Sequence, residues 1–379
     1  MTMNASAAEA AWRWFRDDLG APRYVCAPMV RQSELAFRLF VRRLGCGLTF
    51  APMFVAASVV EAAAAAATNE DISHRFFDTD DADCPFIVQL CGDDPAVLAR
   101  AVTLVQHRCN GVDLNLGCPQ RCARQGHFGA YLLESPALIE DIVRAMVSVA
   151  TVPITCKIRI QDDINDSIAL AQRLERAGCA VLTVHGRLRT QRHHEGSCNW
   201  DAIRAVRAAV SIPVIANGGI TSLADADACL AYTGCAAIMS ATALLQNPAL
   251  FSASIGPIVE TAQAYLAVAR QFPPKHSESA RDHILTMVRP LCQEQHVDLW
   301  SVFSHHNVLT PDQLEACLAH LAARLEMPFE SAALRKLLGH DCVALPSFKQ
   351  IKWKQWKTSA DSDSEGTMMG FEGEWVADY

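Results

Sequence analysis

No stretch of this 379-residue sequence approaches the ~20 consecutive apolar residues that a membrane-spanning helix needs. Residues 1–10 are alanine-rich but have neither the basic start nor the apolar centre of a signal peptide, so none is expected. Fifteen cysteines are present, yet none stand in C-x-x-C spacing. Cys118 and Cys122 are four apart, with no second pair of Cys or His at zinc spacing, so no metal is expected. Unpaired thiols in this number suit a reducing compartment, hence an intracellular address in cytoplasm or nucleus. Lys and Arg are missing from residues 359–379, which carry Asp361, Asp363, Glu365, Glu372, Glu374 and Asp378. The net charge of −8 therefore sits mainly in this tail, and it does not exclude an RNA partner for the nearly neutral body.

What is present describes a folded enzyme: 51% hydrophobic and 20% charged residues, with length for one large and one smaller domain. From Tyr24 onward, short apolar runs alternate with amphipathic stretches. The strand candidates are Tyr24–Met29, Leu48–Pro52, Phe86–Leu90, Val112–Leu116, Ile154–Ile160, Val181–His185, Val214–Asn217 and Ala237–Ser240. Helix candidates include Ser33–Leu44, Pro95–His107, Pro136–Val149, Ser167–Ala177, Trp200–Val210 and Ser222–Ala231. Pro95 and Pro136 suit first-turn positions, and Gly178 suits a helix stop. Continuous apolar strands belong to a parallel sheet covered on both faces. Eight such units over about 230 residues match an α/β fold, the (β/α)8 TIM barrel. The alternative, a doubly wound sheet, calls for a G-x-G-x-x-G turn after the first strand, where Ala27-Pro28-Met29 stands instead.

Active sites on such barrels form at the C-terminal ends of the strands. Those ends read Pro28-Met29, Gln89, Asn115 with Cys118, Lys157 with Arg159, His185 with Arg187, Asn217-Gly218-Gly219 and Ser240-Ala241-Thr242. Gly117 and Pro119 force a turn around Cys118, which makes that thiol a candidate proton donor or nucleophile. Gly126 and Gly129 bracket a loop that is a candidate cover for a ligand. Lys157 interrupts an apolar strand, where lysine is rarely found without a partner. The small residues after strands seven and eight suit a phosphate. A phosphate there, with Lys157 and His185 reaching inward, suits flavin mononucleotide (FMN). Lys157 would face the flavin carbonyl edge where negative charge collects on reduction. Pro28 and Met29 would pack on the ring. Gln89 is either a ligand to the opposite edge or a strand-end amide bonding a neighbouring loop.

These segments resemble the tRNA-dihydrouridine synthases, most of all the eukaryotic class acting on uridines 16 and 17. The resemblance rests on Ala27–Ala36, Phe86–Leu90, Asp113–Gln120 (with Leu-Asn-Leu-Gly-Cys-Pro at its centre), Gly126–Ala130, Thr155–Arg159, Leu182–Arg187, Ile212–Gly218, Met239–Ala241 and Asn247–Phe251. It implies an FMN enzyme that takes electrons from NADPH (or NADH) and reduces the C5–C6 bond of uracil in tRNA. Hydride would pass from flavin N5 to C6, and Cys118 would protonate C5. The resemblance adds Val30 to the cofactor set and implies uracil or phosphate contacts from Asn115, Arg159 and Arg187. A thiol of unperturbed pKa, ~8.5, is mostly protonated at neutral pH and suits that donor role. Two other readings remain open: an FMN barrel reducing a small pyrimidine-like metabolite, and a catalytically silent tRNA-binding factor.

The expected organisation is an N-terminal extension (1–20), the barrel (21–256), a helical tRNA-binding domain (257–357) and an acidic disordered tail (358–379). Helical periodicity covers Thr261–Arg270, His283–His296 and Pro311–Leu325. Lys349, Lys352, Lys354 and Lys357 interleave with Trp353 and Trp356 as a candidate tRNA strip. The loop Arg187–Trp200, with Arg189, Arg192, His193 and His194, is a second basic segment. The oligomeric state is open, with a monomer expected.

Overall fold

The computed structural model describes residues 5–66, 71–191, 195–252, 256–276, 278–296, 299–300 and 309–325. Eight parallel strands close into one barrel in chain order: β1 (Tyr24–Cys26), β2 (Leu48–Val55), β3 (Phe86–Cys91), β4 (Gly111–Leu116), β5 (Ile154–Arg159), β6 (Val181–His185), β7 (Val214–Asn217) and β8 (Ala237–Ser240). Closure comes from β8 pairing with β1, Val25 opposite Met239. The expected TIM barrel is the fold found.

Three strand ends differ from expectation by one residue (β3 ends at Cys91, β4 begins at Gly111, β5 ends at Arg159), and two differ by three, each for a reason involving proline. β1 stops at Cys26 because Pro28 offers no N–H, and Met29 opens a turn in which its carbonyl accepts from the Ser33 N–H at 2.9 Å. β2 runs past Pro52 to Val55 because the ladder with β3 shifts register between Phe50 and Met53. An irregularity of this kind is where a strand tolerates proline.

The connecting helices begin where the sequence supplies caps. Asp94 accepts from the Ala96 and Val97 amides ahead of the helix Pro95–Val105. Asp163 does the same for Ile164–Ala177, so that helix starts before Ser167, and Gly178 (φ +104°) ends it in a left-handed turn. Ala56–Ala65, the helix after β2, carries no amphipathic pattern, since only its Ala56 and Val59 are buried.

The N-terminal segment belongs to the barrel unit. It forms a helix over Ala5–Arg13, and Trp12 Nε1 donates to the Ser211 carbonyl at 2.7 Å, just before β7. Trp14 packs so close to Gly111, the first residue of β4, that a Cβ there would lie 3.1 Å from the indole. Both contacts fall at the N-terminal ends of the strands, away from the mouth.

The chain divides by its contacts between Ala243 and Leu244. In the second unit the helices Ile258–Gln271, Ser279–Gln295 and Pro311–Arg324 pack on one another. Arg270 there pairs with Asp312 at 2.8 Å and with the buried Glu315 at 2.7 Å. The Lys349–Lys357 strip, the 358–379 tail and the basic residues Arg192, His193 and His194 lie outside the described residues. No helix among the described residues is long and apolar enough to cross a membrane.

Candidate active site

Strand register sorts the inward side chains into rows. Gln89, Asp113 and Thr155 share one row across β3, β4 and β5. Asn115, Lys157 and Thr183 form the next, and Arg159, His185, Asn217 and Met239 the one nearest the mouth. Because side chains alternate between faces, residues two apart on β4 and β5 all point into the barrel, while Val112, Leu114, Leu116 and Ile158 face outward and are fully buried.

The first row is a hydrogen-bonded chain. Thr155 Oγ1 donates to Asp113 at 2.6 Å, and Gln89 Nε2 donates to the other Asp113 oxygen at 2.8 Å. Gln89 Oε1 accepts from Asn115 Nδ2 at 2.8 Å. Asn115 Oδ1 in turn accepts from the Gly117 and Cys118 amides at 3.1 and 2.9 Å. Gln89 is thus bonded by protein at both ends of its amide and is 1% exposed. Burial pushes the Asp113 carboxyl up to about 6, against the opposing pull of the Thr155 and Gln89 donors.

Cations surround the mouth. Lys157 is the first lysine in the sequence, the next being Lys275. Its ammonium makes no hydrogen bond or ion pair among the described residues, and burial, then the Arg159 charge, bring its pKa down to about 8. Arg159 donates from Nε to the Gly117 carbonyl (2.8 Å) and from Nη1 to the Leu188 and Gln191 carbonyls (2.9 Å each), tying the β4 turn to the loop after β6. Arg187 Nη1 lies 3.2 Å from His185 Nε2, and its Nε is buried without a partner among the described residues. Burial, followed by the charges of Lys157, Arg159 and Arg187, holds His185 well below its ordinary pKa. The imidazole is therefore neutral, and with an arginine N–H aimed at Nε2 its proton belongs on Nδ1.

Cys118 sits on the turn that follows β4, half-buried. Gly129 (φ +64°) presses against it: a Cβ there would lie 2.7 Å from the Cys118 carbonyl oxygen. The Ala130 amide donates to that carbonyl at 3.0 Å, and Tyr131 Oη donates to the Pro119 carbonyl at 3.0 Å. The loop between Gly126 and Gly129 thus buttresses the thiol's backbone. The thiol packs with Val30 against a cluster of Met53, Cys91, Cys122, Ala123 and Phe128. A hydrogen bond from Cys122 lowers the Cys118 pKa, outweighing burial. The thiol is therefore more acidic than the unperturbed value expected from sequence.

The remaining sequence-derived positions also come to this end of the barrel. Met29 is fully buried, whereas Pro28 and Val30 are half-buried. Asn217 Nδ2 donates to the Met239 carbonyl at 3.0 Å. Gly218 (φ +102°) and Gly219 (φ +73°) follow, and a Cβ on Gly218 would lie 2.7 Å from the His185 ring. Ala241 and Thr242 are half-buried where the short helix Thr242–Gln246 begins. Sequence reasoning missed Asp113, Thr155 and Cys122. Asp113 carried the same signal that marked Lys157, a charge inside an apolar strand run. Cys122 showed only its spacing of four from Cys118, weighed as a metal pair, because its effect on the thiol depends on how the turn folds back.

Among the described residues, the donor set suits an anionic, carbonyl-rich ligand such as FMN: a partnerless ammonium, an orphaned buried guanidinium N–H, and three cations against one carboxylate.

Residues 25–311 match the model of the dihydrouridine synthase (Dus) family. The sequence is 44% identical over 261 residues to the Mus musculus tRNA-dihydrouridine(16/17) synthase [NAD(P)(+)]-like protein, covering 69% of this chain and 54% of that one. It is 34% identical over 295 residues to the Schizosaccharomyces pombe tRNA-dihydrouridine(16/17) synthase [NAD(P)(+)], covering 74% and 72%. Against the Homo sapiens tRNA-dihydrouridine(20a/20b) synthase [NAD(P)+]-like protein, identity is 41% over 231 residues, covering 60% and 70%. The chain spans about half the length of the mouse relative. With the family model covering all eight strands and the thiol turn, this chain belongs to the dihydrouridine synthase family.

Proposed function

We propose that this protein reduces the C5–C6 bond of D-loop uridines in tRNA, at positions 16 and 17, using FMN and NADPH or NADH. The observation that carries the proposal is the meeting of a half-buried thiol, a partnerless ammonium and an unbonded arginine N–H in one barrel mouth. Pro28, Met29, Val30, Gln89, Lys157, His185, Asn217, Gly218, Gly219, Ala241 and Thr242 would hold FMN. When bound, FMN supplies the hydride, and NAD(P)H renews it.

The chain's own groups account for the rest. Lys157 has a pKa of about 8, so it is mostly charged at neutral pH and stabilises negative charge at a carbonyl set against it. Neutral His185 adds no further positive charge and offers Nδ1–H as a donor. Cys118 gives its proton to C5 as hydride reaches C6, so the base gains one hydride and one proton. Asn115 keeps one amide N–H after bonding Gln89, and Arg187 keeps its Nε–H; both suit uracil carbonyls or phosphate. A loop uridine reaches such a mouth more cheaply than a paired one, because less stacking is lost.

The test is reconstitution. Purified protein should be yellow, release FMN on denaturation, and form dihydrouridine at positions 16 and 17 of unmodified tRNA with NADPH or NADH, read by nuclease mapping and mass spectrometry. Colourless protein that leaves the tRNA unreduced even with added FMN would refute the assignment.

A further inference from the structure

We infer that Asp113 is a positioning residue for the Cys118 turn, acting through Gln89 and Asn115. The inference rests on the function proposed above only in what the positioned thiol is for. Asp113 is fully buried, and among the described residues its two oxygens accept from neutral partners alone, Thr155 and Gln89. A carboxylate with no cation bonded to it is an expensive group to bury. Its geometry gives it a purpose that packing does not.

A side-chain amide can face either way, and the choice is set by its neighbours. Here both ends of the chain make the same choice. Ionised Asp113 can only accept, so it draws the Gln89 NH2 toward itself and leaves Gln89 Oε1 facing Asn115. At the far end the Gly117 and Cys118 amides can only donate, so they require Asn115 Oδ1. Asn115 then has its NH2 toward Gln89, which is what Gln89 Oε1 accepts. An acceptor at one end and donors at the other leave two amides with one joint orientation. Without the acceptor, Gln89 can flip and set its NH2 against that of Asn115. The Cys118 amide would then lose its partner, and the thiol's turn its anchor.

Asp113→Leu removes the acceptor at similar volume, whereas Asp113→Asn keeps it. The asparagine oxygen accepts from Gln89 while its NH2 donates to the Thr155 hydroxyl. Amide hydrogen exchange at Gly117 and Cys118 reads the chain directly. It should accelerate at least tenfold in Asp113→Leu and stay near wild type in Asp113→Asn. In single turnovers with tRNA, Asp113→Leu should slow uridine reduction by about 100-fold, the cost of a misplaced reacting group. Flavin reduction by NADPH should fall by less than uridine reduction in the same variant, because the anchor that is lost is that of the Cys118 turn. Gln89→Met breaks the chain one link on and should also release the Cys118 amide, which carries the test if Asp113→Leu does not fold. Unchanged exchange at Cys118 in the folded Leu or Met variant overturns the inference. So does a loss in Asp113→Asn as large as that in Asp113→Leu. If exchange follows the expected pattern but wild-type protein never reduces uridine, the proposed function fails and the positioning role stands.

Discussion

Two fully buried carboxylates in this barrel have opposite company. Asp83, just before β3, accepts from Arg38 Nε at 2.8 Å and Thr49 Oγ1 at 3.0 Å, with Arg42 Nη2 at 3.6 Å. Arg38 is itself 1% exposed and bonds through every nitrogen, adding the Ser33 and Asp78 carbonyls at 2.8 and 2.7 Å. Asp113 has only neutral hydrogen-bond partners, while the cations above it, Lys157 and Arg187, keep donors unspent. Around Asp83, charge meets charge, and of its two arginines only Arg42 keeps a buried N–H, Nε, without a partner among the described residues. At the mouth, burial first and then the crowding of positive groups depress the pKa values of both Lys157 and His185. An arrangement that folding alone would not favour is the kind expected where a ligand completes the charge balance.

The comparison separates two kinds of damage. The largest expected effect is on chemistry: Cys118→Ala should cut single-turnover uridine reduction by about 10²–10⁴-fold, the usual worth of a general acid. Its urea midpoint should stay close to wild type, because the thiol is only half-buried. A variant that reduces uridine at the normal rate would remove Cys118 from the mechanism. Next comes stability: Asp83→Ala should cost about 3–5 kcal/mol in urea unfolding, since it strands the buried Arg38 charge. The fraction that remains folded should keep its flavin and its rate per active site. If Asp83→Ala instead left stability intact and lowered the rate, the two carboxylates would not differ in kind.

Gly129→Ala tests whether the thiol turn belongs with the chemistry or with the scaffold. The substitution puts a side chain at φ +64° and a Cβ 2.7 Å from the Cys118 carbonyl oxygen. Strain of this kind costs about 1–3 kcal/mol. Relief would come from moving the Cys118 backbone, so uridine reduction should fall while NADPH-driven flavin reduction persists. An equal drop in both half-reactions would point to general unfolding.

The barrel was legible because its strands are unbroken apolar runs of the right number and spacing. The helix Ala56–Ala65 was not, because a run of alanines has no periodic pattern to read. The mouth was legible as an inventory of residue types at strand ends, since the fold sends those ends to one place. What sequence does not carry is how each group is already employed. Gln89 faces inward as expected, but its amide is held between Asp113 and Asn115. Arg159 is at the mouth, yet its Nε and Nη1 go to three backbone carbonyls. Those partners come from strands and loops far apart in sequence, so only closure of the barrel introduces them.

The smallest effect concerns pH and compares Cys118 with the lysine beside it. A proton donor works only while protonated, so the rate of uridine protonation should be flat at low pH and fall as the thiol ionises. The Cys122 hydrogen bond stabilises the Cys118 thiolate and so brings that fall to lower pH than an ordinary thiol would give. Cys122 Sγ also lies 3.8 Å from Gln120 Oε1, a rival acceptor, which limits the effect. Cys122→Ala removes the donor, so the falling limb should move to higher pH while the plateau rate is unchanged. Lys157, with a pKa of about 8, loses its charge on the same side of the profile and does not depend on Cys122. The limb should therefore rise only until the lysine governs it. A limb that stays in place in Cys122→Ala would mean that Lys157, not the thiol, sets the alkaline side.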